Sequence, residues 1–279
     1  MSHPSPDLLR FALNHMVCPS LTPLALLDAA ASLNLNAVEL RNDIGDNSLT
    51  DLNQAKAVGA RAAEMGIEVL SVNALYPFNI WNDERAAQAE LLARLAAACG
   101  AKALVMCPLN EGTQVEPNAG KSAELSRALQ ALNIILQKHG LLGYVEPLGF
   151  PVSSLRFKQE ALEAIDAIGG ADRFKLVHDT FHHRGANEQQ LFPLRTGLVH
   201  ISGIEDPNLS FSDMLDGDRV LVGPADRLGN IEQLQQLLVA GYRGPVSFEP
   251  FSEAVWSLTD PLCAVKESME YIRSALSHC

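Results

Sequence analysis

The chain has 279 residues, is 47% hydrophobic and 19% charged, and holds no apolar run near the roughly 20 residues of a membrane-spanning helix, so a membrane partner is not expected. A net charge of −12, with 21 Lys and Arg residues that form no basic run, would repel a phosphate backbone and disfavours nucleic acid as a partner. Five widely spaced cysteines, Cys18, Cys99, Cys107, Cys263 and Cys279, include no CxxC pair, which argues against a disulfide framework or zinc ribbon and for reduced thiols. The opening MSHPSPDLLRF has no basic segment followed by an apolar stretch, so the cytoplasm is the expected location.

Strand-like runs alternate with helical stretches along the whole length, the pattern of βα units and a parallel sheet. In chain order the predicted strands are Leu9–His15, Ala37–Leu40, Ile67–Ala74, Ala103–Pro108, Gly143–Pro147, Phe174–Thr180, Leu198–Gly203 and Pro245–Pro250. Most are short and rich in Val, Ile, Leu or Phe, as strands buried on both faces are. Between them, Pro23–Leu33, Arg85–Cys99, Ala119–His139 and Ile231–Ala240 carry Leu and Ala at helical spacing, with Gly or Asn just after the end. Eight units without a linker or low-complexity tract predict one domain over 1–279. An open doubly wound sheet would also use eight units, but no GxGxxG or GxxxxGK[ST] follows any strand. The predicted fold is therefore α/β, a single (β/α)8 TIM barrel. Its longest irregular stretch, Ile204–Asn230, would lie on the C-terminal face, where barrel active sites are built.

Four predicted strands carry a metal-type ligand at or near their C-terminal end: Glu146 in GYVEP, Asp179 in KLVHDT, His200 in GLVHISG and Glu249 in VSFEP. Taken singly, an acid before a loop is more often a cap or a surface group, and a strand histidine is usually a satisfied core residue. Together, on consecutive strands at one depth, they ask for a shared partner, because a buried carboxylate is costly unless it is paired or bound to a cation. One divalent ion, Mn²⁺, Mg²⁺, Co²⁺ or Zn²⁺, suits this oxygen-rich set, which excludes a soft thiolate site.

The chain resembles the xylose isomerase-like barrels, and within them the bacterial inosose isomerases and tagatose 3-epimerases. The resemblance is carried by AVELR (37–41), SVNALYPFN (71–79), VMCPL (105–109), YVEPLGFP (144–151), VHDTFHH (177–183), VHISGIED (199–206), DRVLVGPA (218–225) and VSFEPF (246–251). The NAL-x-x-FN segment and the D-[ST]-FH pattern are most similar to the inosose isomerases. The resemblance implies that Glu146, Asp179, His200 and Glu249 hold the metal. It also implies that Glu146 and Glu249 act as the acid/base pair, moving a proton between adjacent carbons through an enediolate. His182 and Arg219 match family residues that hydrogen-bond substrate oxygens, although a polar-loop role for the first and a solvated role for the second fit their surroundings equally well. Asn73, Tyr76, Phe78 and Trp81 after the third strand, and His15 ending the first, are candidates for the pocket wall by position; loop packing is the plain alternative.

The chain also departs from the pattern. Val152 and Ser153 stand where the tagatose-epimerase group has a further acid, and Glu146 is followed by Pro-Leu-Gly where two-metal xylose isomerases have lysine. The expected activity is therefore a one-metal isomerase or epimerase of a small polyhydroxy ketone, an inosose or ketose. An inosose-type dehydratase is the alternative, and an endonuclease IV-like phosphodiesterase a more distant one, since that would need a longer list of histidines and acids. The loop Leu209–Leu215 offers a contact for a homo-oligomer.

Overall fold

The computed structural model describes residues 9–111 and 118–278. Most of the N-terminal segment examined for a targeting signal, and Cys279, lie outside the described residues.

The eight predicted strands all form: β1 (Arg10–Asn14), β2 (Ala37–Arg41), β3 (Glu68–Leu75), β4 (Ala103–Met106), β5 (Leu142–Val145), β6 (Phe174–Asp179), β7 (Thr196–Ile201) and β8 (Pro245–Phe248). They pair in parallel in sequence order, and β8 returns to β1 to close the barrel, which leaves no open sheet edge. The helices are α1 (Pro23–Ser32), α2 (Leu52–Met65), α3 (Asp83–Ala98), α4 (Asn118–His139), α5 (Lys158–Ala167), α6 (Thr180–Gly185), α7 (Asn230–Val239), α8 (Glu253–Trp256) and α9 (Pro261–His278). Local chemistry sets several of their starts: Thr22, Asp51 and Asn82 each accept backbone N–H bonds as N-caps of α1, α2 and α3. The α2 helix ends at Gly66, whose φ of 66° is the left-handed conformation that a residue without Cβ adopts freely. Among the described residues, no helix is long and apolar enough to cross a membrane.

Two apolar clusters are separated by the barrel wall, and a third, smaller one joins Phe181 to Ile204, Met214 and Leu228 of the loop after β7. Outward residues such as Leu13, Val38, Leu40, Met106, Val145, Leu176, Val199, Ile201 and Phe248 pack against the helices. Inward residues Ala12, Ala37, Leu70, Ala103, Val105, Tyr144, Val177 and Leu198 fill the interior as a floor. This division follows from the pleat, which sends successive side chains to opposite faces.

Candidate active site

The same alternation raises a polar layer above that floor. Two residues beyond Ala12, Ala37, Val105, Tyr144, Val177 and Leu198, on the same face of each strand, stand Asn14, Glu39, Cys107, Glu146, Asp179 and His200. Glu249 follows β8 and completes the ring. Register does the rest: Asn14 pairs with Glu39 across β1 and β2, and Asp179 with His200 across β6 and β7.

Glu146, Asp179, His200 and Glu249 are all buried, and one ligand atom from each lies within 4.8 Å of the others. His200 Nδ1 is 3.0 Å from Glu146 Oε1 and 3.1 Å from Glu249 Oε2, while its Nε2 faces Glu39 Oε1 at 3.1 Å. Arg219, from the 204–230 loop, donates to Asp179 Oδ2 at 2.6 Å and Glu249 Oε2 at 3.0 Å. Arg41 donates to Glu249 Oε1 at 2.8 Å and grips Asp43 with two bonds of 2.7 Å. Asp179 also caps α6, its Oδ1 accepting from the N–H groups of Phe181 and His182.

Charge counting tests whether this site fits a cation. Glu39, Glu146, Asp179 and Glu249 are four buried carboxylates, against two buried guanidiniums, Arg41 and Arg219. When ionised they leave an excess of two negative charges, which a divalent ion would offset while leaving His200 neutral and able to ligate. Three carboxylates and one imidazole match an oxygen-preferring divalent ion. Without an ion, the carboxylates act on His200 instead. Burial disfavours its charged form, but Glu249, Glu39 and Glu146 outweigh burial and hold the imidazole well above its ordinary value. Burial likewise opposes ionisation of Glu39, yet the neighbouring His200 brings its carboxyl down to about 2. Cys107 donates to Glu146 Oε2 at 3.4 Å, and burial next to Glu146 and Glu249 pushes its thiol well up, so it stands beside the cluster as a neutral donor.

A cavity of about 240 Å³ opens onto the cluster, lined by Arg41, Asn73, Glu146, His182, Arg219 and Glu249 among others. The structure therefore brings the four expected ligands together with His182, Arg219 and Asn73. His182 is buried, and its Nδ1 has no hydrogen-bond partner within the described residues. Arg219 and Asn73 line the cavity and also bond within the site: the Arg219 guanidinium donates to Asp179, Glu249, Asp216 and Ser202, and the Asn73 amide donates to Glu39 and Ser71.

Three expected wall residues, His15, Phe78 and Trp81, are not in the lining. His15 lies one position past Asn14, so its ring turns out of the interior, and its Nε2 bonds the Leu21 carbonyl at 2.8 Å. Trp81 packs against the outer core, and Phe78 is fully buried in it. Tyr76 does line the cavity, and Phe150 and Phe251 take the places of the other two aromatic candidates. Sequence analysis did not single out Glu39, Arg41 or Asn14. The signal of Glu39 and Arg41 was present in AVELR, where charges at the first and third places after Val38 alternate with apolar outward residues.

A family model described as xylose isomerase-like TIM barrel matches residues 27–275. The chain belongs to the xylose isomerase-like TIM barrel family. It is an enzyme of that family, and among solved structures it is similar to a xylose isomerase domain-containing protein from Salmonella typhimurium LT2, at 35% identity and TM-score 0.86, with 99% of each chain covered. It shares its fold with the IOLI protein, solved with a bound zinc atom, at 21% identity and TM-score 0.82 over 95% of this chain and 98% of that one. The same fold occurs in D-psicose 3-epimerase from Clostridium cellulolyticum H10, solved with D-tagatose, at 14% identity and TM-score 0.72 over 96% and 99%. No protein of curated function matches the sequence.

Proposed function

We propose that this enzyme is a divalent-metal-dependent isomerase or epimerase that moves a proton between adjacent carbons of a small, uncharged polyhydroxy ketone, an inosose or ketose, through an enediolate. The observation that carries this reading is that Glu146 and Glu249 both line one small cavity and converge on His200 Nδ1. Two carboxylates so placed can remove a proton from the carbon beside a carbonyl and return one to its neighbour, a service worth about 10²–10⁴-fold in rate. An ion held by Glu146, Asp179, His200 and Glu249 would polarise the substrate's oxygens.

Arg219 and Arg41 hold Glu249 from two sides and so fix the direction in which it presents its oxygens. His182 lines the cavity, where its imidazole would hydrogen-bond a substrate hydroxyl. A cavity of about 240 Å³ falls below the range of roughly 300–1,000 Å³ of drug-sized pockets, which suits a single sugar or cyclitol ring. Both guanidiniums in the lining are already paired with carboxylates, so neither offers spare charge to a phosphate, and this supports an uncharged substrate.

The test is turnover of a panel of inososes and ketoses in D₂O by protein loaded with Mn²⁺, Mg²⁺, Co²⁺ or Zn²⁺. The expected product keeps the substrate's mass in H₂O, gains deuterium beside the carbonyl in D₂O, and is lost in Glu249→Gln, whose amide cannot accept the proton. Release of one water would make the enzyme a dehydratase. Unlabelled product together with full activity of Glu249→Gln would remove the proton-transfer mechanism.

A further inference from the structure

Glu39 is fully buried on β2 and stands outside the lining of the cavity, so it is not placed to touch a substrate. A buried carboxylate is expensive, and this one is surrounded by donors from both flanking strands. Its Oε1 accepts from Asn14 of β1 at 3.2 Å; its Oε2 accepts from Ser71 at 2.6 Å and Asn73 at 2.9 Å, both of β3. These three bonds leave the carboxylate little freedom to turn. What remains is its contact with His200, whose Nε2 lies 3.1 Å and 3.2 Å from its two oxygens.

A neutral imidazole carries one N–H and one lone pair, and the partner of one nitrogen decides the state of the other. An ionised carboxylate only accepts, so the nitrogen facing Glu39 must be the one that bears hydrogen. The opposite nitrogen, Nδ1, faces Glu146 and Glu249, two of the other three members of the ligand quartet.

We propose that Glu39 is a positioning residue of the metal centre, which holds His200 as the Nε2–H tautomer and in a fixed ring orientation, so that Nδ1 is the atom presented to the ion. This rests on the metal-dependent reading above and adds a carboxylate–histidine–metal relay to it, with Asn14, Ser71 and Asn73 as its outer support. Asn14 ties the relay to the site a second time, since its amide also donates to Glu249 Oε1 at 3.2 Å. Outer partners of this kind contribute about 10–100-fold in metal affinity.

The experiment compares wild type, Glu39→Gln and Glu39→Ala, each stripped with chelator and titrated with Zn²⁺ against a competing indicator. Glu39→Ala is expected to bind one Zn²⁺ per chain about 10–100-fold more weakly, with Glu39→Gln, which keeps an acceptor oxygen, losing less. Long-range ¹H–¹⁵N spectra of the zinc-loaded wild type should show His200 Nε2 protonated and Nδ1 bound to the metal. That spectrum decides the matter even where Glu39→Ala fails to fold, because it needs no variant. Zinc affinity within about twofold of wild type in both variants, or zinc on Nε2, overturns the proposal. A wild type that binds no divalent ion would instead overturn the metal-dependent function itself, so the two failures are distinguishable.

Discussion

Replacing Arg219 by methionine tests the charge balance on which the site depends. Arg219 is 1% exposed; it donates to Asp179, Glu249, Asp216 and Ser202, and its guanidinium lies over the rings of Phe181 and Phe251 at 4.9 Å and 4.6 Å. Methionine keeps an apolar contact with both rings and removes only the charge and its donors. In the stripped protein, where the carboxylates keep His200 cationic, the excess of buried negative charge then rises from one to two. Removing one partner of a buried ion pair costs about 3–5 kcal/mol. At about 2–4 °C per kcal/mol for a domain of this size, the chelated variant should melt about 6–20 °C below chelated wild type. A bound divalent ion supplies countercharge to the same Asp179 and Glu249, so saturating metal should stabilise the variant more than the wild type and narrow that gap. Thermal melts of both proteins, with chelator and with Mn²⁺ or Zn²⁺, measure the effect. A chelated difference under about 2 °C, or a difference that metal leaves unchanged, would refute the charge counting.

Two further substitutions or treatments probe the surroundings. A Cβ added at Gly149 would lie 2.1 Å from the His182 carbonyl oxygen, so Gly149→Ala must push the loop after β5 away from α6; a loss of about 1–3 kcal/mol or more and a fall in kcat/KM are expected, and an unchanged melt with unchanged kinetics would contradict the packing. Burial pushes the thiols of Cys18 and Cys99 up to about 11, so near pH 8 they stay protonated, and iodoacetamide followed by peptide mass mapping should find exposed Cys263 modified well before either. Their labelling should rise only as pH approaches 11, and labelling of Cys18 or Cys99 at the rate of Cys263 at pH 8 would show that the barrel wall opens.

The barrel and its four candidate ligands were legible in the sequence because each signal is local. Apolar runs of strand length, helices with their own caps and stops, and acids within a residue or two of buried apolar stretches can be recognised without knowing what they touch. Glu146, Asp179, His200 and Glu249 stood out because an isolated buried charge is costly wherever it sits. Glu39 obeys the same rule in AVELR, but its meaning depends on His200, 161 residues away, and on the donors of β1 and β3. Asn14 reaches Glu249 across 235 residues only because β8 pairs with β1. Face assignment was also beyond local reading: a shift of one position separates inward Asn14 from outward His15, and one step along α6 separates His182, in the cavity, from His183, beside Lys158. Composition and periodicity determine which segments become strands and helices. Only closure of the barrel decides which buried charges meet, because their energies depend on distances of 3–4 Å between atoms that the chain itself keeps far apart.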